Sequence, residues 1–285
     1  MGTIMSNFLE LFPQYQLGES LIEFALLVNE FALSQPALSL KERDRVNGIF
    51  EQIIVNEFSQ NVARLPDEAV ASYLQAAGSA VHAIGHSLLR GENGPLVPAT
   101  LARTTLENCA LVVFLSTGED HLRRTGGAIN ALHDSLRGSG AESPDSPLHP
   151  VVLQLKQVKE RTGSIGVSKS DSLSQNYEKL VGSQLERISG AELYKILNRY
   201  AHHNLYSHIS VMISANDKSI DNYVNIYDFS VRAGAALVLA VDASANHKQT
   251  INPELIRSRD RVAQYYDNFF NFAMEMQSKF PDNSS

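Results

Sequence analysis

The chain has 285 residues, of which 44% are hydrophobic and 19% are charged, and its formal net charge is −7. This composition can fill a substantial apolar core and gives no overall attraction to nucleic acid or to an anionic membrane, although it permits a local basic patch. The single cysteine, Cys109, excludes an intramolecular disulfide and a multi-cysteine zinc site, and its apolar surroundings predict a buried, unreactive thiol.

The first half of the chain is predicted to form an arm followed by five helices. Residues 1–17 are aromatic and irregular, which is typical of an arm packed on the body of a domain. Beyond them, hydrophobic residues recur at the spacing of one helix face, Pro36 ends the first helix, and Ser39 is placed to cap the second. The predicted helices cover residues 19–35, 39–65, 66–90, 98–116 and 119–137.

The second half is predicted to be helical around two polar loops. Residues 138–150 form a loop by composition, and the Ser- and Gly-rich residues 162–176 form a mobile connection or a lid. We find no persistent strand pattern and no repeat, so we predict one all-α domain over residues 1–285, a bundle of about nine or ten helices with a polar cavity between helices. The predicted helices here are 151–161, a segment capped by Ser189 that carries Tyr194 to His202, a segment starting before Ile213, 221–245 and 253–280.

Several familiar catalytic motifs are missing, which narrows the chemistry. The sequence has no glycine-rich phosphate-binding motif, no GxSxG nucleophile turn, no HExxH motif and no paired ExxH motifs. It therefore gives no support to a P-loop enzyme, a serine hydrolase, a zinc protease or a di-iron protein. Its apolar runs are shorter than a membrane span and no signal-peptide pattern opens it, so we expect a cytoplasmic protein without a membrane partner.

Polar side chains concentrate in two stretches of otherwise apolar helical sequence. In the first stretch, His82 and His86 are four residues apart and share a helix face, and Arg103 and Glu107 repeat this spacing on the next helix. An arginine among apolar residues needs a partner, and Glu107 is the nearest. Two interpretations stay open, namely a structural Arg103–Glu107 pair, or an Arg103 that faces a cavity and binds an anionic group.

The second stretch runs from Tyr194 to His208 and also carries Arg199, His202 and His203. Adjacent residues of a helix are about a hundred degrees apart, so His202 and His203 cannot both point fully into one pocket. We favour His202 for the pocket, and an exposed position suits His203 equally well. Because histidine titrates near neutral pH, a buried histidine beside an arginine or a glutamate can transfer a proton.

A metal site is an alternative use of the same histidines. His82 and His86 lie one helical turn apart and could both bind one divalent ion, with Glu107, His202 or His203 completing the set. This spacing is common in helices, and two histidines that are hydrogen-bonded at a helix interface would show it as well. The sequence itself requires no cofactor.

The order of these features resembles a broad group of uncharacterised bacterial all-helical proteins. In that group a helix with an early histidine precedes a helix reading R-x-x-L-E, here Arg103 to Glu107, and a later helix reading Y-x-x-L-x-x-x-x-H, here Tyr194 to His202. The resemblance covers about residues 75–245 and extends distantly to the HEPN superfamily, helical bundles that include metal-independent ribonucleases. It implies the helical fold more than one activity, because the spacing from Arg199 to the following histidines departs from the ribonuclease signature.

The leading hypothesis is an enzyme that acts on a small polar or anionic organic molecule by acid–base catalysis. In this hypothesis His86 and His202 exchange protons with the substrate. Arg103 holds an anion or a developing negative charge, and Glu107 orients Arg103 or a histidine. The candidate substrate-binding residues are Tyr194, Arg199 and His203.

Two other classes of function stay open. One is a metal-independent ribonuclease or toxin of HEPN type, in which Arg199 with His203 or His208 acts on RNA. It requires a basic groove despite the negative net charge, for which nearby lysines and arginines are available. The other is a non-enzymatic helical interaction module with structural histidines, which predicts that side chains fill the space between the helices.

The last predicted helix carries aromatic residues on more than one face. Tyr265 and Tyr266 are adjacent, as are Phe269 and Phe270, so the aromatic surface is wider than the single apolar stripe of a helix at the edge of a domain. Either the N-terminal arm or a second copy of the chain must cover the second face. We favour a homodimer, because an exposed aromatic surface of this width promotes association.

Overall fold

The computed structural model describes residues 8, 10–34, 39–53, 62–91, 94–117, 120–136, 139–165, 176–201, 220–245 and 251–279. Within these ranges the chain forms α-helices and short 3-10 turns without a strand, which confirms the predicted all-α bundle. The ten α-helices of the described ranges are α1 (Gln14–Leu33), α2 (Leu40–Phe50), α3 (Leu65–Leu89), α4 (Leu96–Ser116), α5 (His121–Leu136), α6 (His149–Arg161), α7 (Tyr177–Gln184), α8 (Gly190–Ala201), α9 (Ile220–Ala245) and α10 (Pro253–Lys279).

The second helix starts where the sequence predicts and ends earlier. The backbone N–H of Glu42 donates to Ser39 Oγ at 3.3 Å, which confirms Ser39 as the cap of α2. The helix ends at Phe50 and not near residue 65. A 3-10 turn over residues 62–64 leads directly into α3. Hydrophobic spacing alone does not mark the end of a helix, because the same period can continue through turns that pack on the same core.

The structure describes only the first residues and the last residue of the predicted lid, and a short unpredicted helix follows it. Thr162–Ile165 form a 3-10 turn that continues α6, and residues 166–175 lie outside the described residues. The side chain of Asn176 then accepts a hydrogen bond from the backbone N–H of Lys179 at 3.2 Å and caps α7. This helix has eight residues and two buried side chains, too few for its hydrophobic period to predict it.

A tight corner before α8 fixes the direction of that helix. Ser189 precedes α8 as predicted, but it has a φ of 54°, the left-handed conformation that favours glycine, and it ends the 3-10 turn Glu186–Ile188. A Cβ on Gly190 would lie 2.9 Å from both Leu185 O and Val181 O, so this position requires glycine. The corner lets α8 pack back against α7 and α4.

Helices α1, α3, α4 and α9 form the centre of the bundle, with α1 against α3, α3 against α4 and α4 against α9. Glycines bring α1 and α3 close together, because a Cβ on Gly85 would lie 2.7 Å from Gly18 O. Cys109 is fully buried in the main core cluster, and burial raises the pKa of its thiol, which confirms the predicted buried cysteine.

The apolar helix α9 has the length and composition of a membrane span over residues Asn222–Ala245, but 72% of its most apolar window is buried inside the bundle. Such burial is typical of a helix that is hydrophobic on all sides because it lies in a protein core. The length and composition of α9 are therefore weak evidence for a membrane.

The N-terminal arm packs against the last helix. Phe8 and Phe12 are buried, and the ring centre of Phe12 lies 5.6 Å from that of Phe269 and 5.1 Å from that of Phe272. The arm thus covers one aromatic face of α10, as one of the two alternatives predicts. Phe270 is 40% exposed on another face, where the homodimer stays a prediction.

Candidate functional site

Three side chains from two helices form a hydrogen-bonded set, the Arg103–Glu107–Tyr194 group. The hydroxyl of Tyr194 on α8 donates to Glu107 Oε1 at 2.7 Å and accepts a hydrogen bond from Arg103 Nη2 at 3.3 Å. On α4, Arg103 Nε lies 3.1 Å from Glu107 Oε1, which confirms the ion pair expected from the four-residue spacing. The guanidinium carbon of Arg103 is 5.5 Å from the centre of the Tyr194 ring.

The hydrophobic face of α8 positions the tyrosine of this group. Leu193, Tyr194 and Leu197 are buried on that face, while Lys195 and Arg199 are exposed on the other side. Because the Ser189–Gly190 corner directs α8 against α4, the Tyr194 hydroxyl reaches across to the two charged residues. The sequence predicts a polar cavity between helices, but not which side chains meet there.

The Tyr194 phenol stays protonated in this setting. Burial, together with the hydrogen bond that it donates to Glu107, raises the pKa of Tyr194 to about 12, although Arg103 acts in the opposite direction. A phenol with this pKa is a hydrogen-bond donor and not a base at neutral pH. Tyr194 is therefore suited to hold Glu107 and Arg103 in place.

One edge of the Arg103 guanidinium is occupied and the other is open. Nε is within ion-pair distance of Glu107 but makes no hydrogen bond, and Nη2 donates to the Tyr194 hydroxyl. Among the described residues no group accepts a hydrogen bond from Nη1, and the side chain of Arg103 is 27% exposed. An arginine fixed along one edge can still bind a carboxylate or a phosphate through its remaining donors. The two interpretations of Arg103 are thus compatible, because the ion pair leaves an anion-binding edge free.

The two histidines of α3 form a pair at the surface. The ring centres of His82 and His86 are 4.6 Å apart, which confirms that they share a helix face. His86 is exposed and His82 is half-buried, because His86 continues the exposed stripe of Ser72 and Ser79. His86 therefore does not line a buried cavity in the single chain. Partial burial and the neighbouring His86 lower the pKa of His82, which favours its neutral form.

The second histidine stretch is described only up to Ala201. Arg199 lies exposed on the last turn of α8, consistent with contact to a substrate or to RNA. His202, His203 and His208 lie outside the described residues, so their predicted roles stay predictions.

In the part of the chain that the structure describes, no group of three His, Cys, Asp or Glu side chains lies close enough together to hold a metal ion. The predicted alternative with His82 and His86 as ligands can include His202 or His203, which are outside that part. The metal alternative therefore stays a prediction.

A third helix, α5, is rich in buried polar side chains, a feature that the sequence does not predict. This helix is buried on almost all sides although it carries the polar residues His121, Arg124, Thr125, Asn130 and His133, all of them buried. The signal for it is the pair Gly126–Gly127 in the middle of the helix, where glycine costs about 1 kcal/mol unless another part of the protein packs closely there.

At its first turn, α5 is joined to α3 by a buried ion pair between Arg124 and Asp67. Arg124 Nη2 lies 2.7 Å from Asp67 Oδ1 of α3, and Arg124 Nε donates to Leu115 O at 2.8 Å. His121 Nε2 lies 2.6 Å from Ala63 O. Because these contacts join α3, α4 and α5 at one end of the bundle and occupy the polar atoms involved, they indicate a structural role.

Near the other end of α5, charged residues surround a partly satisfied carboxylate. Asp134 Oδ1 lies 2.9 Å from Lys159 Nζ and 3.1 Å from His133 Nδ1. The pKa of the Tyr177 phenol is raised first by burial and then by the charges of Glu107 and Asp134, so this tyrosine lies within range of both carboxylates.

Comparison of the chain with protein-family models, with curated proteins and with solved structures gives no match.

Proposed function

We propose that this protein is an enzyme that binds a small anionic organic molecule at Arg103 and transfers a proton with the histidines around it. The observation that carries the proposal is the Nη1 edge of Arg103, which has no acceptor among the described residues. It belongs to a side chain that is 27% exposed and whose other edge faces Glu107 and Tyr194. A cation fixed in this way loses little freedom when it binds an anion, which makes binding stronger.

Glu107 and Tyr194 act as positioning residues in this proposal. Glu107 accepts from Tyr194 and pairs with Arg103, so it sets the direction in which the guanidinium points. Tyr194 adds the rigidity of a buried ring, because its side chain is only 4% exposed in total. Neither residue needs to change its protonation state for the anion to bind.

We assign His82 the role of a base near the anion site. Six residues link α3 to α4 and the two helices pack together, so they form an antiparallel pair. His82 lies seven residues before the end of α3, and Arg103 lies seven residues after the start of α4, so the two stand at the same level of the pair. The lowered pKa of His82 keeps its imidazole neutral and able to accept a proton.

His86 and His202 are the other candidates for proton transfer. His86 is the ring neighbour of His82 and is open to solvent, so it can pass a proton between His82 and water. His202 follows Tyr194 by eight residues, on the chain that continues α8 past Ala201. We assign His202 the role of the second acid or base and propose that the protein works in the cytoplasm without a required cofactor.

The experiment compares metabolite mixtures before and after incubation with the protein. Mass spectrometry of a small-molecule extract is expected to show at least one carboxylate- or phosphate-bearing compound that wild-type protein consumes. The Arg103→Lys variant is expected to consume it far more slowly, because lysine lacks the planar second edge, while the exposed Arg90→Lys control keeps the wild-type rate. Wild-type protein that changes no compound, or an Arg103→Lys variant at full rate, would refute the proposal.

The ribonuclease alternative has one favourable observation, the exposure of Arg199 at the end of α8. Its neighbour Lys195 lies 3.4 Å from Glu178 Oε1, which reduces the positive charge available there to RNA. Incubation with mixed RNA separates the alternatives, because the anion-site enzyme predicts no cleavage and no salt-sensitive RNA binding. The non-enzymatic interaction module predicts neither RNA cleavage nor consumption of any metabolite.

A further inference from the structure

Two buried oxygen atoms on α5 have no hydrogen-bond partner among the residues that the structure describes. They are Oδ1 of Asn130 and Oδ2 of Asp134, which are four residues apart and therefore on the same face of the helix. Asn130 is only 3% exposed, and the side chain of Asp134 is 19% exposed. Buried polar atoms are almost always paired, so two unpaired acceptors on adjacent turns need a physical explanation.

Two buried acceptors without donors lower the free energy of unfolding of the protein. A buried acceptor without a donor loses its hydrogen bonds to water and gains nothing in exchange. For a carboxylate oxygen this loss is larger than for an amide oxygen, because charged groups are more strongly hydrated. A bound group that donates hydrogen bonds to both atoms would remove the loss at Asn130 and at Asp134 together.

The other oxygen of Asp134 already has its partners. Lys159 Nζ and His133 Nδ1 both approach Oδ1, at 2.9 Å and 3.1 Å. These contacts fix the orientation of the carboxylate, while its second oxygen, Oδ2, is buried and has no partner among the described residues. The Asn130 and Asp134 oxygens can only accept hydrogen bonds, so one atom that bonds to both must carry at least two hydrogens. Water meets this requirement, and among organic groups a primary amine or a primary amide nitrogen does, whereas a hydroxyl does not.

The negative charge of Asp134 contributes to raising the pKa of an exposed tyrosine on α7, Tyr177. Tyr177, at the first turn of α7, lies within electrostatic range of Asp134 and is 42% exposed. A half-exposed aromatic ring can contact the apolar part of a ligand and can also attract a cationic nitrogen. The side chain of Asp134 is itself 19% exposed, so part of it contacts solvent.

We propose that Asn130 Oδ1 and Asp134 Oδ2 form a binding site for the primary amine or amide nitrogen of a small molecule. In this site the nitrogen donates one hydrogen bond to each oxygen. This site is independent of the anion-binding edge of Arg103, and it requires no enzymatic activity of the chain.

The test measures thermal unfolding and NMR spectra of the full chain with three probes at matched ionic strength. Methylammonium chloride offers a cationic N–H donor, acetamide offers a neutral one, and tetramethylammonium chloride offers a cation without N–H. We expect saturable stabilisation and local chemical-shift changes at Asn130 with methylammonium or acetamide, and none with tetramethylammonium. The probe that binds distinguishes an amine ligand from an amide ligand.

Two variants and one control locate the binding. Asn130→Leu and Asp134→Asn are each expected to weaken probe binding about tenfold or more, as the loss of one hydrogen bond to a charged group predicts. Asn130→Leu is also expected to unfold at a higher temperature than wild type, because it removes an unpaired buried acceptor. Ser135→Ala, exposed on the same helix, is the control and keeps wild-type affinity.

Three results would overturn the site. One is the absence of saturable binding of both N–H probes to wild-type protein. Another is undiminished binding to a folded Asn130→Leu or Asp134→Asn variant. The third is an experimental structure in which the Asn130 amide is rotated so that its own NH₂ group donates to Asp134, since the two residues would then satisfy each other.

Discussion

Replacing Gly85 by alanine tests the close contact that fixes α3 against α1. The new Cβ would lie 2.7 Å from Gly18 O and 2.7 Å from Ile22 Cγ1, which is well inside normal contact distance. Overpacking of this kind costs about 1–3 kcal/mol, and alanine in a helix interior returns about 1 kcal/mol relative to glycine. Because Gly18 O belongs to the backbone and cannot rotate away, we expect the upper end of the cost and a net loss of about 2 kcal/mol.

Gly48→Ala is the matched control for this prediction. Gly48 lies in α2, and a Cβ there would meet nothing within 4 Å, so alanine should stabilise the protein by about 0.5–1 kcal/mol. Thermal unfolding should then show Gly85→Ala melting about 4 °C below wild type and Gly48→Ala slightly above it. A Gly85→Ala protein as stable as Gly48→Ala would refute the packing of α1 on α3 described above.

Three further predictions concern single side chains, each measured by urea unfolding. Tyr194→Phe should lose about 1–3 kcal/mol at neutral pH, because the phenol bonds two charged groups. The pKa of Tyr194 is raised to about 12, so the stability linked to its proton is present below about pH 10 and is lost as the pH rises toward 12. The free energy of unfolding of Tyr194→Phe should therefore fall less than that of wild type between about pH 10 and about pH 12. Equal falls for the two proteins would contradict the raised pKa of Tyr194. Asp67→Asn should lower the free energy of unfolding by about 3–5 kcal/mol, because it leaves a buried arginine without its carboxylate partner. Glu23→Gln, which removes the carboxylate of a surface ion pair, should lower it by at most about 1 kcal/mol. Similar losses for the two variants would show that the Asp67 pair is not buried. Phe12→Ala should lower the free energy of unfolding by about 3–5 kcal/mol, and Phe270→Ala by about 1 kcal/mol or less, because Phe12 is buried and Phe270 is exposed. A Phe270→Glu variant with a lower molecular mass than wild type in light scattering would support the proposed homodimer.

The helical bundle is readable from the sequence because long helices with a wide apolar face repeat that face many times. The helices α3, α4, α9 and α10 lie close to their predicted ranges for this reason. Short elements give no such repetition. α7 depends on one capping side chain, Asn176, and two buried residues, and its hydrophobic pattern is shorter than three turns.

The candidate site is only partly readable from the sequence. The four-residue spacing predicts the Arg103–Glu107 pair, since that contact lies within one helix. The contact of Tyr194 with both residues depends on the corner at Ser189 and Gly190, where a left-handed backbone turns α8 toward α4. Local sequence does not encode the angle of that turn, so spacing alone cannot predict the hydroxyl's position.

The buried polar residues of α5 show the opposite difficulty. A helix with few apolar residues normally lies at the surface, whereas α5 contains Arg124, Asn130 and His133 among its buried side chains. The arginine can be buried because its partner, Asp67, comes from the start of α3, many residues earlier in the chain. Such a partner follows from tertiary packing and not from the periodicity of either helix.

The histidines separate into a pair that the structure places and a group that it does not describe. The contact between His82 and His86 follows from their spacing, but the exposure of His86 depends on which face of α3 the neighbouring helices leave open. The sequence marks both histidines as polar residues within apolar surroundings. Only the packing of α1 and α4 on α3 decides that the pair lies at the surface.

The most direct measurement of the central claim is an NMR titration of the Arg103 guanidinium with acetate and with inorganic phosphate. The free Nη1 edge predicts saturable shifts of the Arg103 side-chain resonances, while the resonances of Arg124, whose guanidinium is buried against Asp67, stay unchanged. Tyr194→Phe should weaken the binding by loosening the guanidinium. Arg103 resonances that remain unchanged in both titrations would contradict the account.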